Sequence, residues 1–167
     1  MTDTFTPLEG GCECGKLRFR MEAEPIITHA CHCRFCQRAT GAAFNIKSMI
    51  ETDSLTVLEG APVAAEGLRG WTNVQCPDCR TSVWSHHPHL GRGVALVGVG
   101  LLDEGERLPP EAHYFTRSKH PWVTLPEGVV AFEQLGDPQK AGARPRIEAA
   151  IAAGAVGGSL KAYANEA

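Results

Sequence analysis

The sequence predicts a mainly β fold, and three observations lead to this class. Short segments alternate polar and apolar residues with the period of a half-buried strand. The chain has 18 glycines and 11 prolines in 167 residues, which suits a turn-rich β domain better than a helical bundle. Its seven cysteines stand in short motifs and none stands alone.

The elements follow in chain order. Residues 1–10 are predicted to be a short, poorly ordered lead-in, and residues 11–136 to be the folded domain. Residues 16–21 alternate as a strand does, and a short helical turn is predicted at 34–39. The polar, proline-closed segment 102–111 is predicted to be an exposed loop. Further strands are predicted at 43–49, 54–58, 81–85 and 94–99, most of them bounded by Gly, Pro, Asp or Asn.

The C-terminal residues 137–167 differ in composition from the rest of the chain. They are rich in alanine, which favours a helix at about 146–153. Ile147 and Ile151 form one weak apolar stripe on this helix. Either the helix docks on the domain or frays, or it is an arm that packs against a second subunit in a homodimer.

Charge and hydropathy exclude several partners. The formal net charge is −3, so the chain has no overall electrostatic attraction to nucleic acid or to anionic membranes. The apolar run 93–102 is about half of the roughly 20 residues that a bilayer requires, so no membrane span is predicted. The first residues lack the pattern of a secretory signal, which leads us to expect a cytoplasmic protein. In that reducing compartment, cysteine clusters serve more often as metal or catalytic sites than as disulfides.

The cysteines fall into three motifs. They are a CxC (Cys12 and Cys14), a CxCxxC (Cys31, Cys33 and Cys36) and a CxxC (Cys76 and Cys79). Two residues apart on an extended segment, side chains project to the same side, and a CxxC turn brings both sulfurs to one tetrahedral centre.

The number of cysteines in each motif suggests two metal sites. The CxC and CxxC together supply four thiolates, which is a closed and therefore structural zinc shell. The CxCxxC supplies three, which leaves one open position as in catalytic zinc sites. Other arrangements stay open: inert buried cysteines, one metal site beside a redox-active CxxC, or a CxCxxC closed by a histidine. The candidates for that fourth ligand are His29, His86, His87, His89, His113 and His120.

The motifs resemble the glutathione-dependent formaldehyde-activating enzyme family, which also contains centromere protein V. The resemblance rests on the CxC flanked by Gly11 and Gly15, the CxCxxC followed by Gly41, the CxxC, and residues 113–122. It spans about residues 10–133. It implies a β-tent of small antiparallel sheets stapled by zinc, with Cys12, Cys14, Cys76 and Cys79 on a structural zinc and Cys31, Cys33 and Cys36 on a catalytic one.

The implied activity is that of a carbon–sulfur lyase, which joins glutathione to formaldehyde or cleaves S-hydroxymethylglutathione. One departure lies directly after the CxxC, where relatives usually have glycine and this chain has Arg80. Since Arg80 is not a ligand, the departure bears on substrate choice more than on metal binding.

Some candidate residues follow from the chemistry. Three thiolates on Zn²⁺ suit the activation of a substrate thiol better than the making of hydroxide, and a proton must then reach the aldehyde oxygen. His32 is the nearest titratable residue, although strand alternation turns it away from the neighbouring cysteines. Glutathione carries two carboxylates, for which the candidate partners are Arg34, Arg38, Lys47, Arg117 and Lys119. A non-catalytic, zinc-stabilised binding module is the alternative function, and a metal-buffering or thiol-redox protein is the weaker third.

Overall fold

A computed structural model describes residues 5–137, 140 and 142–154. Within these residues the chain forms eleven strands and two α-helices. The strands are β1 Leu8–Gly11, β2 Arg18–Met21, β3 Ile27–Cys31, β4 Asn45–Glu51, β5 Leu55–Glu59, β6 Val63–Glu66, β7 Thr72–Gln75, β8 Ser82–His86, β9 Val94–Gly98, β10 Ala112–Tyr114 and β11 Val130–Ala131. The helices are α1 Arg34–Thr40 and α2 Ala143–Ala153.

The strands form two sheets, which confirms the mainly β prediction. The smaller sheet has the order β1-β2-β5, and its pairings are antiparallel. The larger has eight strands in the order β11-β10-β3-β4-β9-β8-β7-β6. Its pairings are antiparallel except at one edge, where β10 runs parallel to both β3 and β11.

The register of β3, β4 and β9 divides the larger sheet into two faces. Because side chains alternate along a strand, cross-strand partners share a face. Ile50 and its neighbours Ala95 and Val97 face the smaller sheet and pack with Phe19 and Met21. The opposite face is covered in part by α2, whose buried residues Ala143, Ile147 and Ala150 pack on an apolar set that includes Ile27, Met49, Val94 and Leu96.

The described part of the C-terminal extension therefore docks on the domain. Arg146 in α2 binds Glu51 in β4 through two hydrogen bonds, of 2.8 Å from Nε and 2.7 Å from Nη2. Gly93 lets the helix approach, because a Cβ there would lie 1.8 Å from the carbonyl oxygen of Ala150. Residues 155–167, the rest of the predicted arm, lie outside the described residues. Neither helix has the length and apolar character needed to cross a membrane within the described part of the chain.

Three boundaries differ from the sequence-based expectations. β1 begins at Leu8, inside the predicted lead-in, because Leu8 is buried in the core between the sheets. Leu102 at the start of the predicted loop is also buried and bridges to Gly10. The C-terminal helix begins at Ala143, three residues before the prediction.

Candidate metal centre and active site

The CxC and the CxxC meet at one point. The sulfurs of Cys12, Cys14, Cys76 and Cys79 all lie within 4.8 Å of one another. Sγ of Cys14 is 3.5 Å from that of Cys12 and 3.8 Å from that of Cys76. Zn–S bonds of about 2.3 Å place tetrahedral ligands about 3.8 Å apart, so this set fits a metal ion with four sulfur ligands.

Two tight turns aim these sulfurs at each other. After β1, the Gly15 amide donates to the Cys12 carbonyl, and the Leu17 amide donates to the Cys12 sulfur. After β7, the Arg80 amide donates to the Cys76 carbonyl. Hydrogen bonds from Thr81 lower the pKa of Cys79 to about 5, which favours the thiolate that a metal ligand requires.

Arg80 adopts the backbone that a glycine would adopt. Its φ is 63°, in the left-handed region. The departure from the family pattern therefore leaves the turn after the CxxC in place, with an L side chain in a conformation that costs roughly 1–2 kcal/mol. An exposed ion pair, 2.8 Å between Lys16 and Asp78, joins the two turns.

The CxCxxC forms the second cluster at the junction of β3 and α1. Its three sulfurs lie within 4.8 Å of one another. Cys31 ends β3, where it pairs with Asn45 of β4 and Tyr114 of β10. Cys33 is the N-cap of α1, and its sulfur accepts a hydrogen bond of 3.3 Å from the Cys36 amide. The sequence spacing thus places one sulfur on a strand, one at the helix cap and one in the first helical turn.

Gln37 fixes the loop that carries this cluster. Its Nε2 donates to the carbonyl oxygens of His32, at 2.8 Å, and of Ser118, at 2.9 Å. Its Oε1 accepts from Arg34 Nη1 at 2.7 Å. The predicted helical turn at 34–39 is confirmed, and this contact joins it to the segment after β10.

The electrostatics of the second cluster favour a cation. The hydrogen bond from Cys31 and that from Cys36 lower the pKa of Cys33 to about 2, whereas the bond to Cys33 raises the pKa of Cys31. The cluster therefore gains its first negative charge readily and further charge with difficulty. A metal ion would supply the positive charge that full deprotonation needs.

The second cluster has no fourth ligand among the described residues. No ring nitrogen of a histidine and no carboxylate joins its three sulfurs within 4.8 Å, and the six candidate histidines all lie in the described range. The alternative in which a histidine closes the CxCxxC is therefore not supported.

Lys47 lies on the same sheet face as Cys31. It pairs across β3 with His29 and across β9 with Gly98, and a Cβ at Gly98 would be 3.8 Å from Lys47 Nζ. Burial lowers the pKa of Lys47 to about 8, and its charge is attracted to Cys36. Burial also lowers the pKa of His29 to about 4, so His29 is neutral beside this amine.

His32 is turned away from the cysteines, as alternation predicts, but it is not on the surface. Its side chain is fully buried, packs on the Phe44 ring and bonds through Nε2 to His113 Nδ1 at 2.9 Å. Burial lowers the pKa of His32 to about 4, so the ring is neutral at neutral pH. This placement gives His32 no open path to a substrate.

The other predicted cations are dispersed. Arg34 is bonded to Gln37, and Lys119 donates to the carbonyl oxygens of His120 and Val123. Arg38 is exposed in the last turn of α1. Arg117 lies in a 3₁₀ turn after β10. Of the five candidates, Lys47 is thus the one whose charge, within the described residues, acts on a thiol of this cluster, that of Cys36.

Comparisons with known proteins agree with the motifs. The family model for the glutathione-dependent formaldehyde-activating enzyme matches residues 7–118, a range that includes every cysteine. The chain belongs to this family. A protein of Halomonas elongata, named provisionally as a glutathione-dependent formaldehyde-activating enzyme, is 26% identical over 126 residues, which are 71% of this chain and 80% of that protein. A crystal structure of a Rhodobacter sphaeroides protein covers 57% of this chain and 88% of its own, with 22% identity and a TM-score of 0.44.

Sequence reasoning missed three contributors to the site. Gln37 carried no motif signal, and His113 was considered only as a ligand. Gly98 is the cross-strand partner of Lys47, and its only signal was its place near the end of a predicted strand. All three act through residues distant in sequence, which spacing does not show.

Proposed function

We propose that this protein is a zinc-dependent carbon–sulfur lyase that joins glutathione to formaldehyde and cleaves S-hydroxymethylglutathione in the reverse direction. One observation carries the proposal: the cysteine sulfurs divide into a complete set of four and an incomplete set of three. A binding module needs no incomplete set, because only an incoming ligand makes use of the vacant position.

The roles of the cysteines follow from this division. Cys12, Cys14, Cys76 and Cys79 hold a structural zinc, and Cys31, Cys33 and Cys36 hold the catalytic one, giving two ions per chain. A zinc ion held by the second set would supply an open position for a substrate thiol and would favour the thiolate form.

Lys47 is the proposed partner of the aldehyde oxygen. When the sulfur attacks the carbonyl carbon, the C=O electron pair moves to oxygen, which then needs a proton or a hydrogen bond. An ammonium with a pKa of about 8 is charged at neutral pH and still gives up a proton readily. In the reverse direction the amine takes that proton back.

His32, His113 and Gln37 are positioning residues in this proposal. The His32–His113 bond and the Gln37 bridge to Ser118 tie the CxCxxC to β10 and to the segment after it. Because His32 is buried and neutral, we assign it to this support and not to acid–base chemistry. Arg34, Arg38, Arg117 and Lys119 remain candidates for the carboxylates of glutathione.

The test is direct. The zinc-loaded protein is mixed with glutathione and ¹³C-formaldehyde, and exchange between free and adduct carbon is followed by NMR against a protein-free control. We expect faster exchange with the wild type, no acceleration with Cys36→Ser, and a loss of at least tenfold with Lys47→Gln. A cobalt-substituted sample should change its sulfur-to-metal absorption when glutathione is added. No acceleration and no spectral change with any thiol would instead favour the binding module.

A further inference from the structure

The turn between β6 and β7 has an unusual backbone. Residues Leu68–Gly70 form a 3₁₀ turn in which Arg69 has φ 57° and ψ 31°, in the left-handed region. A residue other than glycine held in that region costs roughly 1–3 kcal/mol and needs a local cause. The hairpin turn supplies one, because the Gly67 amide donates to the Trp71 carbonyl at 2.7 Å and the Trp71 amide donates to the Leu68 carbonyl at 3.3 Å.

This backbone directs Arg69 onto α1. The guanidinium carbon of Arg69 lies 5.1 Å from the centroid of the Phe35 ring. Phe35 in turn stacks against Trp71 at 6.3 Å and 22°. Trp71 precedes β7, which is four places from β3 in the sheet order, so these contacts bring the β6–β7 turn to the helix that carries Cys33 and Cys36.

The charge of Arg69 has no acidic partner in the described structure. No carboxylate in residues 5–137, 140 and 142–154 forms an ion pair with it. Its guanidinium instead lies over the Phe35 ring. A guanidinium that lies over a ring uses its flat face, and its N–H groups at the edge remain able to bind a carboxylate in a fork.

We propose that Arg69 binds a carboxylate of the thiol substrate, with Phe35 and Trp71 holding the guanidinium in place. This inference rests on the proposed function, since it assumes that the thiol binds at the CxCxxC. Phe35 directly precedes Cys36 in α1, and in this proposal a thiol at the three sulfurs extends from that helix toward Arg69. The strained turn then sets specificity: it selects thiols that carry a carboxylate.

The test compares two ligands and four proteins. Isothermal titration of the zinc-loaded protein measures binding of glutathione and of its diethyl ester, which has the same thiol and no carboxylate. The variant is Arg69→Asn, because asparagine tolerates the left-handed backbone and has no charge. The control is Arg80→Asn, which makes the same change at a left-handed arginine beside the other cysteine cluster.

A charged hydrogen bond of typical strength corresponds to about 10- to 100-fold in affinity. We expect Arg69→Asn to weaken glutathione binding by that factor and to leave ester binding within twofold of the wild type. Arg80→Asn should bind both as the wild type does. Arg69→Lys should recover part of the loss, because it keeps the charge and lacks the fork.

The outcomes separate the two proposals. If Arg69→Asn binds glutathione as tightly as the wild type, the Arg69 inference is overturned and the proposed function stands. Equal weakening of glutathione and ester also overturns it, because Arg69 would then act through the fold. A wild type that binds neither ligand overturns both proposals.

Discussion

The sharpest expectation concerns two serine substitutions, Cys76→Ser and Cys36→Ser, which each remove one sulfur from one cluster. Cys76 is fully buried and belongs to the core between the sheets. Cys36 is half-buried and belongs to neither apolar cluster. Loss of the Cys36 sulfur also leaves the N-cap of α1 intact, because Cys36 contributes its backbone amide to the hydrogen bond with Cys33.

The magnitudes differ because the clusters differ in sequence separation. Cys14 and Cys76 are 62 residues apart, and closing a loop of that length in an unfolded chain costs about 4 kcal/mol, against about 2 kcal/mol for the five-residue span of the CxCxxC. The unfolded chain therefore retains metal at the short motif far better than at the distant one. A metal stabilises the fold only to the extent that it prefers the folded state.

The expected loss of stability in Cys76→Ser follows from the linkage between metal binding and folding. Removing an outer-shell partner of a metal ligand weakens binding 10- to 100-fold, and a lost ligand costs at least as much, so about 2.7 kcal/mol of metal-linked stability disappears. A hydroxyl left in a fully buried site adds about 1 kcal/mol or more. The sum of about 4 kcal/mol corresponds to a fall in Tm of about 8–16 °C. For Cys36→Ser we expect less than about 1 kcal/mol, or roughly 2–4 °C.

The assay is denaturation followed by circular dichroism, with zinc content measured on the same samples. Each variant should lose one zinc per chain, while only Cys76→Ser unfolds early. The wild type treated with a strong chelator should resemble Cys76→Ser. The reasoning is refuted if Cys36→Ser is destabilised as much as Cys76→Ser, or if Cys76→Ser keeps the Tm of the wild type.

Three further changes test other parts of the structure. Arg80→Gly should raise the free energy of unfolding by about 0.5–1 kcal/mol in urea, because glycine relieves the left-handed strain at φ 63°, whereas Arg80→Ala keeps the β-carbon and should give no such gain. Gly93→Ala should lower the free energy of unfolding by about 1–3 kcal/mol, since the new β-carbon would collide with the Ala150 carbonyl. Gly100→Ala is the neutral control, because no atom lies within 4 Å of its new β-carbon. Burial lowers the pKa of His86 in the folded state. As the pH falls below about 6.5, the unfolded chain therefore takes up a proton first, and the free energy of unfolding should decrease. His86→Gln should weaken this dependence of stability on pH.

The parts of the fold that the sequence predicts are those with a local signal. The alternation at 16–21 corresponds to β2, and the runs at 43–49 and 94–99 correspond to β4 and β9. The cysteine motifs predict the two clusters because a CxxC or a CxC brings its own sulfurs together whatever the rest of the chain does. The pairing of the CxC with the CxxC is long-range. It was predictable only because their four cysteines together complete a tetrahedral shell.

Other elements have no such signal. β3 is buried along nearly its whole length, so it shows no alternation, and it lies inside the sheet between β4 and β10. β10 has three residues and is a strand because it pairs in parallel with β3. The His32–His113 bond depends on that parallel pairing and joins residues 81 apart. Such contacts arise from topology, and no single-sequence pattern contains them.

In the proposed function, the two clusters also divide stability and chemistry between them. A metal held between segments 62 residues apart is coupled to folding, and such a site gains stability from being saturated by four protein ligands. A reactive site instead needs an open coordination position that lowers the stability of the fold only slightly. The CxCxxC meets that need because its sulfurs come from six consecutive residues, and the Gln37 bridge and the pairing of Cys31 with Tyr114 hold those residues without any metal. In the proposed function, a ligand would therefore enter and leave the second cluster while a metal at the first keeps the sheets together.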